Sequence, residues 1–181
     1  VQINYTLEEK DYLNFQLYHV STNTNIKKQR RNTQIIVAIA VFLLGIFFLI
    51  FGDKWEGIYF LIGAIPVYYL CGFYAGWLYR FTIRKHVANI YRRTTPRQAK
   101  LSILDDIIEY SERGLTSKYK FEELESVSNL RKYIFFKINE TSFIILPKRE
   151  LSDINYVVNH IRDYTLKYKI PFREKSKWKW R

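Results

Sequence analysis

Lys148 and Arg149 stand side by side where a strand ends and a helix is about to begin. Two cations beside the free N–H groups of a helix start can receive a phosphate or an acidic peptide. Solvating the helix start is the more ordinary role for such a pair. Other chemistry is sparse. His19, His86 and His160 are scattered, with no partner at metal-ligand spacing. Asp105-Asp106 and Glu122-Glu123-Glu125 are the dense carboxylates, and each borders a strand or turn where solvated acids are ordinary. Cys71 lies in an apolar run without a base beside it, and no phosphate-cradling glycine loop or nucleophile elbow is present. The expectation is a non-enzymatic protein without metal or organic cofactor.

The elements that would position these groups are dominated by two apolar runs, Gln34 to Phe51 and Gly57 to Tyr79. Neither holds an Asp, Glu, Lys, Arg or His. A hydrocarbon core is about 30 Å thick, so about 20 helical residues cross it, and each run meets that length. A soluble helix keeps a polar face, and these do not. A transmembrane helical hairpin over 34–79 is expected, with Gly52 to Glu56 as the link.

Orientation follows from the basic residues. Lys27, Lys28, Arg30 and Arg31 precede the first span, and Arg80, Arg84, Lys85, Arg92 and Arg93 follow the second with no acid among them. The positive-inside rule then places both flanks, and both termini, in the cytoplasm. Trp55 in the link and Trp77 at the inner boundary fit interfacial anchors, and Trp178 and Trp180 alternate with lysines in a tail suited either to headgroups or to a disordered end. The net charge of +12 resembles a nucleic-acid signature only in total. It is concentrated beside the second span and in the tail, so anionic lipid headgroups, not nucleic acid, are the expected partner. Gly72 and Gly76 form a small-xxx-small seam for close helix packing, within the hairpin or, as the open alternative, between two protomers of a homo-oligomer.

The remaining segments are short. Residues 1–33 read as a strand followed by a helix, with Thr6 and Glu9 in capping-box spacing. Residues 80–100 read as a basic juxtamembrane linker and 171–181 as a basic aromatic tail. Across 101–170 strand signals prevail: Ile107 to Glu112 and Leu115 to Phe121 meet at Arg113-Gly114, and Lys132 to Ile138 and Thr141 to Leu146 meet at Asn139-Glu140. A helix carrying Ile154, Val158 and Ile161, capped by Ser152, closes the domain. The fold class is α+β: a two-helix transmembrane hairpin and a small antiparallel sheet domain covered by a C-terminal helix.

This order of elements, with Ile3-Asn4-Tyr5-Thr6-Leu7-Glu8-Glu9-Lys10-Asp11-Tyr12, Glu109-Tyr110-Ser111-Glu112-Arg113-Gly114-Leu115 and Ile145-Leu146-Pro147-Lys148-Arg149, resembles the YcxB-like family of bacterial membrane proteins. The resemblance implies a C-terminal domain similar to a pleckstrin-homology fold, held at the cytoplasmic face of the cell membrane. It implies no particular activity. The functional expectation is a membrane-anchored adaptor that binds a protein partner. A membrane immunity protein against a bilayer-acting toxin is the alternative, and a small transporter or channel component the third reading.

Overall fold

The structure, a computed structural model, describes residues 1–91, 97–104, 106–139 and 142–180. Two compact units emerge, one of residues 1–15 and 87–180 and one of residues 16–86.

The first unit is built on two sheets. Strand β1 (Gln2–Leu7) begins a four-stranded antiparallel sheet that continues with β2 (Arg97–Leu104), β3 (Ile107–Glu112) and β4 (Leu115–Lys120), in that order. Its inward row is apolar: Ile3, Tyr5 and Leu7 on β1 alternate with exposed or half-exposed neighbours, and Ala99, Leu101 and Ile103 carry the row on β2, where Ser102 on the other face is buried as well. The β3–β4 turn needs positive φ at both central residues, and Arg113 (56°) and Gly114 (77°) supply it. The second sheet has the order β7-β6-β5-β8, with β5 (Ser126–Leu130), β6 (Tyr133–Lys137), β7 (Phe143–Pro147) and β8 (Phe172–Lys175). β5, β6 and β7 pair antiparallel, whereas β8 runs parallel to β5. β6 reads Tyr-Ile-Phe-Phe-Lys without polar alternation because its first four residues are buried whichever face they occupy.

Two helices complete this unit. Helix α1 (Glu9–Thr22) opens with its first turns against the sheets: Phe15 meets Phe135 edge-on, with ring centroids 5.5 Å apart, and Phe143 at 4.7 Å. The C-terminal helix, Ile154–Lys167, is capped by Asp153, whose side chain accepts the Tyr156 N–H, and not by Ser152 as its position suggested. It buries Val157, Val158, Ile161 and Thr165, one face at helical spacing. Phe121 is fully buried and stacks on Tyr164 at 4.8 Å. Lys169, at φ 54°, then reverses the chain into β8.

The second unit is a helix pair. Helix α2 (Thr24–Phe51) starts one residue after α1 ends, because Asn23 caps it by accepting the N–H groups of Asn25 and Ile26. Helix α3 (Lys54–Tyr91) follows the link and makes the C-terminal helix above α4. The 28- and 38-residue lengths of α2 and α3 are enough to cross a membrane, and their outward surfaces are apolar, including Ile36, Leu43 and Ile50 on α2 and Tyr59, Ile62 and Phe73 on α3. Phe48 and Phe60 stack at 5.4 Å across the seam. The closest approach is at Gly57, where a Cβ would lie 2.9 Å from the Gly45 carbonyl oxygen and 2.7 Å from Leu49. Gly72 also lies in the seam, against the Gln34 side chain, and Gly76 is buried. Gly45 and Gly57 form the tightest point of the pair.

Three boundaries differ from expectation. The basic segment 80–100 is helical through Tyr91 and already strand from Arg97, since Lys, Arg and Ala extend a helix readily. β1 is not part of a separate N-terminal region but an edge of the first sheet. The tail contributes β8, with the Trp178 N–H bonded to the Lys175 carbonyl at 2.9 Å. Glu140 and Thr141, at the expected second turn, lie outside the described residues.

Replacing Gly57 with Val should splay the helix pair, because backbone on α2 stands where the new side chain must go. The expected cost is about 1–3 kcal/mol, read as a lowered midpoint in thermal unfolding of the full chain in neutral detergent. Gly63→Val, where a Cβ meets open space, serves as the control.

Candidate functional site

Arg149, half of the cation pair singled out from sequence, lies at the surface with its guanidinium engaged by a buried carboxylate. It sits in a 3-10 turn over Lys148–Glu150 that follows β7. Its Nη1 and Nη2 donate to the two carboxylate oxygens of Asp11 at 2.7 and 2.8 Å. Nη2 also donates to the Thr6 carbonyl at 3.0 Å and lies 3.1 Å from Glu8, and Nε donates to Glu150 at 3.0 Å. Asp11 is fully buried, so its charge needs this fork, together with the Tyr133 hydroxyl (3.0 Å) and the Glu8 N–H (2.8 Å). The Glu8 contact makes Asp11 the acid that caps α1, in place of the Thr6–Glu9 pairing expected from sequence; Thr6 belongs to β1. The Asp11 hydrogen bonds hold the Arg149 guanidinium above its ordinary value. Burial, with Asp11 nearby, pushes the Tyr133 phenol up to about 12.

Of the Lys148-Arg149 pair, Arg149 holds α1 on the second sheet through Asp11. Lys148 is half-buried, and burial pushes its ammonium down, a shift that Glu174 partly opposes.

A second polar cluster ties α1 to the first sheet. The Tyr12 hydroxyl donates to Glu112 at 2.7 Å, Tyr110 donates to the other Glu112 oxygen at 2.7 Å, and Arg97 reaches Glu112 at 3.1 Å and the Tyr12 hydroxyl at 3.0 Å. The Arg97 guanidinium also lies 4.8 Å from the centre of the Tyr12 ring. Burial pushes the phenols of Tyr5, Tyr12 and Tyr110 up. Burial opposes ionisation of Glu112 too, but the hydrogen bonds from Tyr110, Tyr12 and Arg97 outweigh it and hold the carboxyl below its ordinary value.

The opposite face of the first sheet is polar and open. Strand pairing places Asn4 beside Lys100 and Lys100 beside Ser111, and a cleft of about 520 Å³ runs across this row. Its polar lining includes Asn4, Thr6, Gln98, Lys100, Ser111 and Arg113, with Glu150, which pairs with Arg149, at its edge. Amides, hydroxyls and two cations suit it to a polar, anionic ligand or an extended peptide. Sequence reasoning missed this cleft. Its signal, polar residues at alternate positions of Asn4–Thr6 and Gln98–Lys100, becomes meaningful only once β1 is known to pair with β2.

The other residues named from sequence are dispersed. Asp106 accepts from Lys167 at 2.9 Å, Glu125 pairs with Lys137, and the Glu123 side chain accepts the Lys120 N–H at 3.3 Å. Among the described residues no three His, Cys, Asp or Glu gather as a metal site. His160 stacks on Tyr156, and Cys71 is half-buried in α3. Trp55 is exposed in the first turn of α3 and Trp77 further along it, while Trp178 and Trp180 are half-buried in the first unit. Lys27, Lys28, Arg31, Arg80, Arg84 and Lys85 are exposed and Arg30 half-buried; Asp105, Arg92, Arg93 and Arg181 lie outside the described residues.

These features define an α+β protein in which two long apolar helices interrupt a two-sheet domain. Residues 103–161 match the model of a family described as YcxB-like protein, so this part of the chain is similar to the family suggested by its motifs. The match covers β3 to β7 and most of α4. No curated protein and no solved structure matches the chain.

Two outcomes test the buried clusters. Asp11→Asn should cost about 1–3 kcal/mol in denaturant unfolding, since the bidentate fork is lost while Arg149 keeps Glu8 and Glu150 and stays partly solvated, and the double change Asp11→Leu with Arg149→Met should recover part of that loss. Glu112 has a folded value below the ordinary 4.5, so its stabilisation is present above that value and is lost as pH falls through the lower one. Glu112→Gln should lower stability at neutral pH by about 1–3 kcal/mol and flatten the acid limb of a stability-against-pH curve.

Proposed function

We propose that this chain is a non-enzymatic, membrane-anchored binding protein whose two-sheet domain faces the cytoplasm and presents the cleft over Asn4, Lys100 and Ser111 to a partner. The observation that carries the anchoring is a strand pair: Leu7 lies opposite Arg97 in the first sheet. Everything between them, both apolar helices included, leaves and re-enters one sheet at one paired position. A chain that crosses a bilayer and returns to the same point crosses it an even number of times, and two crossings put both flanks on one side. The basic residues on both flanks make that side the cytoplasm. The apolar outward surfaces of α2 and α3 suit lipid.

The two sheets followed by α4 support a pleckstrin-like reading of the domain, with β8 and the helix insertion after β1 as additions. An adaptor role is supported by the open polar cleft over the first sheet.

Topology is tested in a Cys71→Ser background by single cysteines at Lys54, Lys118 and Lys177. An impermeant maleimide should label only position 54 in right-side-out vesicles, and positions 118 and 177 only in inverted ones; labelling of 54 and 118 from the same side would refute the hairpin. The binding role is tested by crosslinking in the native membrane. A stoichiometric protein partner should be recovered with the intact chain and lost with Lys100→Glu and Arg113→Glu together, whereas recovery of only lipid and self-crosslinks would count against an adaptor.

A further inference from the structure

The helix pair holds one cation that differs from its neighbours. Lys27, Lys28, Arg31, Arg80, Arg84 and Lys85 are exposed, as long charged side chains in a headgroup layer are expected to be. Arg30 instead turns into the seam. Its guanidinium carbon lies 5.7 Å from the centre of the Tyr79 ring on α3. Its Nε is enclosed and has no hydrogen-bond partner among the described residues. Gln34, one turn further along the same face of α2, sits with its amide against Gly72, so α2 turns polar groups toward α3 at two successive levels.

No carboxylate among the described residues pairs with Arg30. Within residues 16–86 the acids are Asp53 in the link and Glu56 in the first turn of α3, both at the other end of the helix pair from Arg30. An enclosed guanidinium N–H without an acceptor is costly, and the low local dielectric makes it more so. The missing acceptor must be planar-compatible, anionic and available at this depth. Arg30 lies four residues, about 6 Å along the axis, before the first apolar run begins at Gln34, which is headgroup level for a spanning helix.

We infer that Arg30, backed by the Tyr79 ring, forms a binding site for the phosphate of a net-anionic phospholipid at the cytoplasmic end of the α2–α3 seam. The guanidinium fork matches two phosphate oxygens, and the ring holds its plane. The surrounding exposed cations, with no acid between them, select a net-anionic lipid over a zwitterionic one carrying the same phosphate. This inference rests on the reading of α2 and α3 as membrane spans.

The test uses the full chain purified in neutral detergent, with lipid retention followed by native mass spectrometry after addition of phosphatidylglycerol, phosphatidylcholine or inorganic phosphate. One phosphatidylglycerol should remain bound under activation that strips the others. Arg30→Gln should weaken that retention by about tenfold, and Arg84→Gln, which removes an exposed charge, by less than about twofold. Arg30→Lys preserves the charge and guards against a folding defect, and it should still lose retention several-fold because it lacks the fork. Equal losses for Arg30→Gln and Arg84→Gln would overturn the site in favour of a diffuse charge effect. Equal retention of phosphatidylcholine, or an Arg30-dependent gain in melting temperature with inorganic phosphate alone, would overturn the assignment to anionic lipid. Alkaline carbonate separates the two levels of failure: a chain extracted from membranes loses the anchoring itself, whereas one that stays but binds lipid without Arg30 loses only this site.

Discussion

Pairing between β1 and β2 joins residues 90 to 100 positions apart, from Leu7 with Arg97 to Gln2 with Ser102, and the first sheet exists as a four-stranded unit because of it. Closing a loop of about 90 residues costs on the order of 4 kcal/mol in a flexible chain. Most of the intervening chain is helical, in α1, α2 and α3. α2 and α3 run antiparallel, with Arg30 near Tyr79, Gln34 against Gly72 and Phe48 on Phe60, so the helix pair returns the chain close to where it set out. A packed helix pair is a shorter effective loop than a flexible chain of the same length, which lowers the entropic cost of the strand pair.

Two polar clusters secure the point where this insertion begins. Both act through the first turns of α1: Asp11 reaches the second sheet through Arg149 and Tyr133, and Tyr12 reaches the first through Arg97 and Glu112. Buried ion pairs contribute little net stability over apolar packing, but losing one partner is expensive. Their value lies in specificity. An apolar α1 could slide on a greasy surface, whereas a bidentate carboxylate–guanidinium fork accepts one register. Arg97 stands at the start of β2, so the same cluster marks the return of the chain into the sheet.

The +12 charge consequently divides into groups with different physics. Arg97 and Arg149 are held by acids inside the domain and are structural. Lys118, Lys137 and Lys167 make surface pairs of small energetic weight. Lys100 and Arg113 line an open cleft, and Lys27, Lys28, Arg30, Arg31, Arg80, Arg84 and Lys85 of the helix pair make no ion pair among the described residues. Composition alone cannot separate these groups, because a lysine reads the same whether or not a carboxylate faces it.

Local chemistry determined much of this protein. The lengths of the apolar runs, the Arg113-Gly114 turn, the β6–β7 pair and the amphipathic spacing of Ile154, Val158 and Ile161 all act over a few residues, and each element was legible in the sequence. β5 and β8 were not, because Ser126–Leu130 and Phe172–Lys175 are short and owe their extended form to neighbouring strands and not to their own propensity. The tertiary structure decided that Arg149 serves Asp11, that Gly45 and Gly57 set the helix approach, and that Asn4, Lys100 and Ser111 share one cleft. Each of these depends on residues brought together from distant parts of the chain, and periodicity in a single segment carries no information about which distant segment will lie against it.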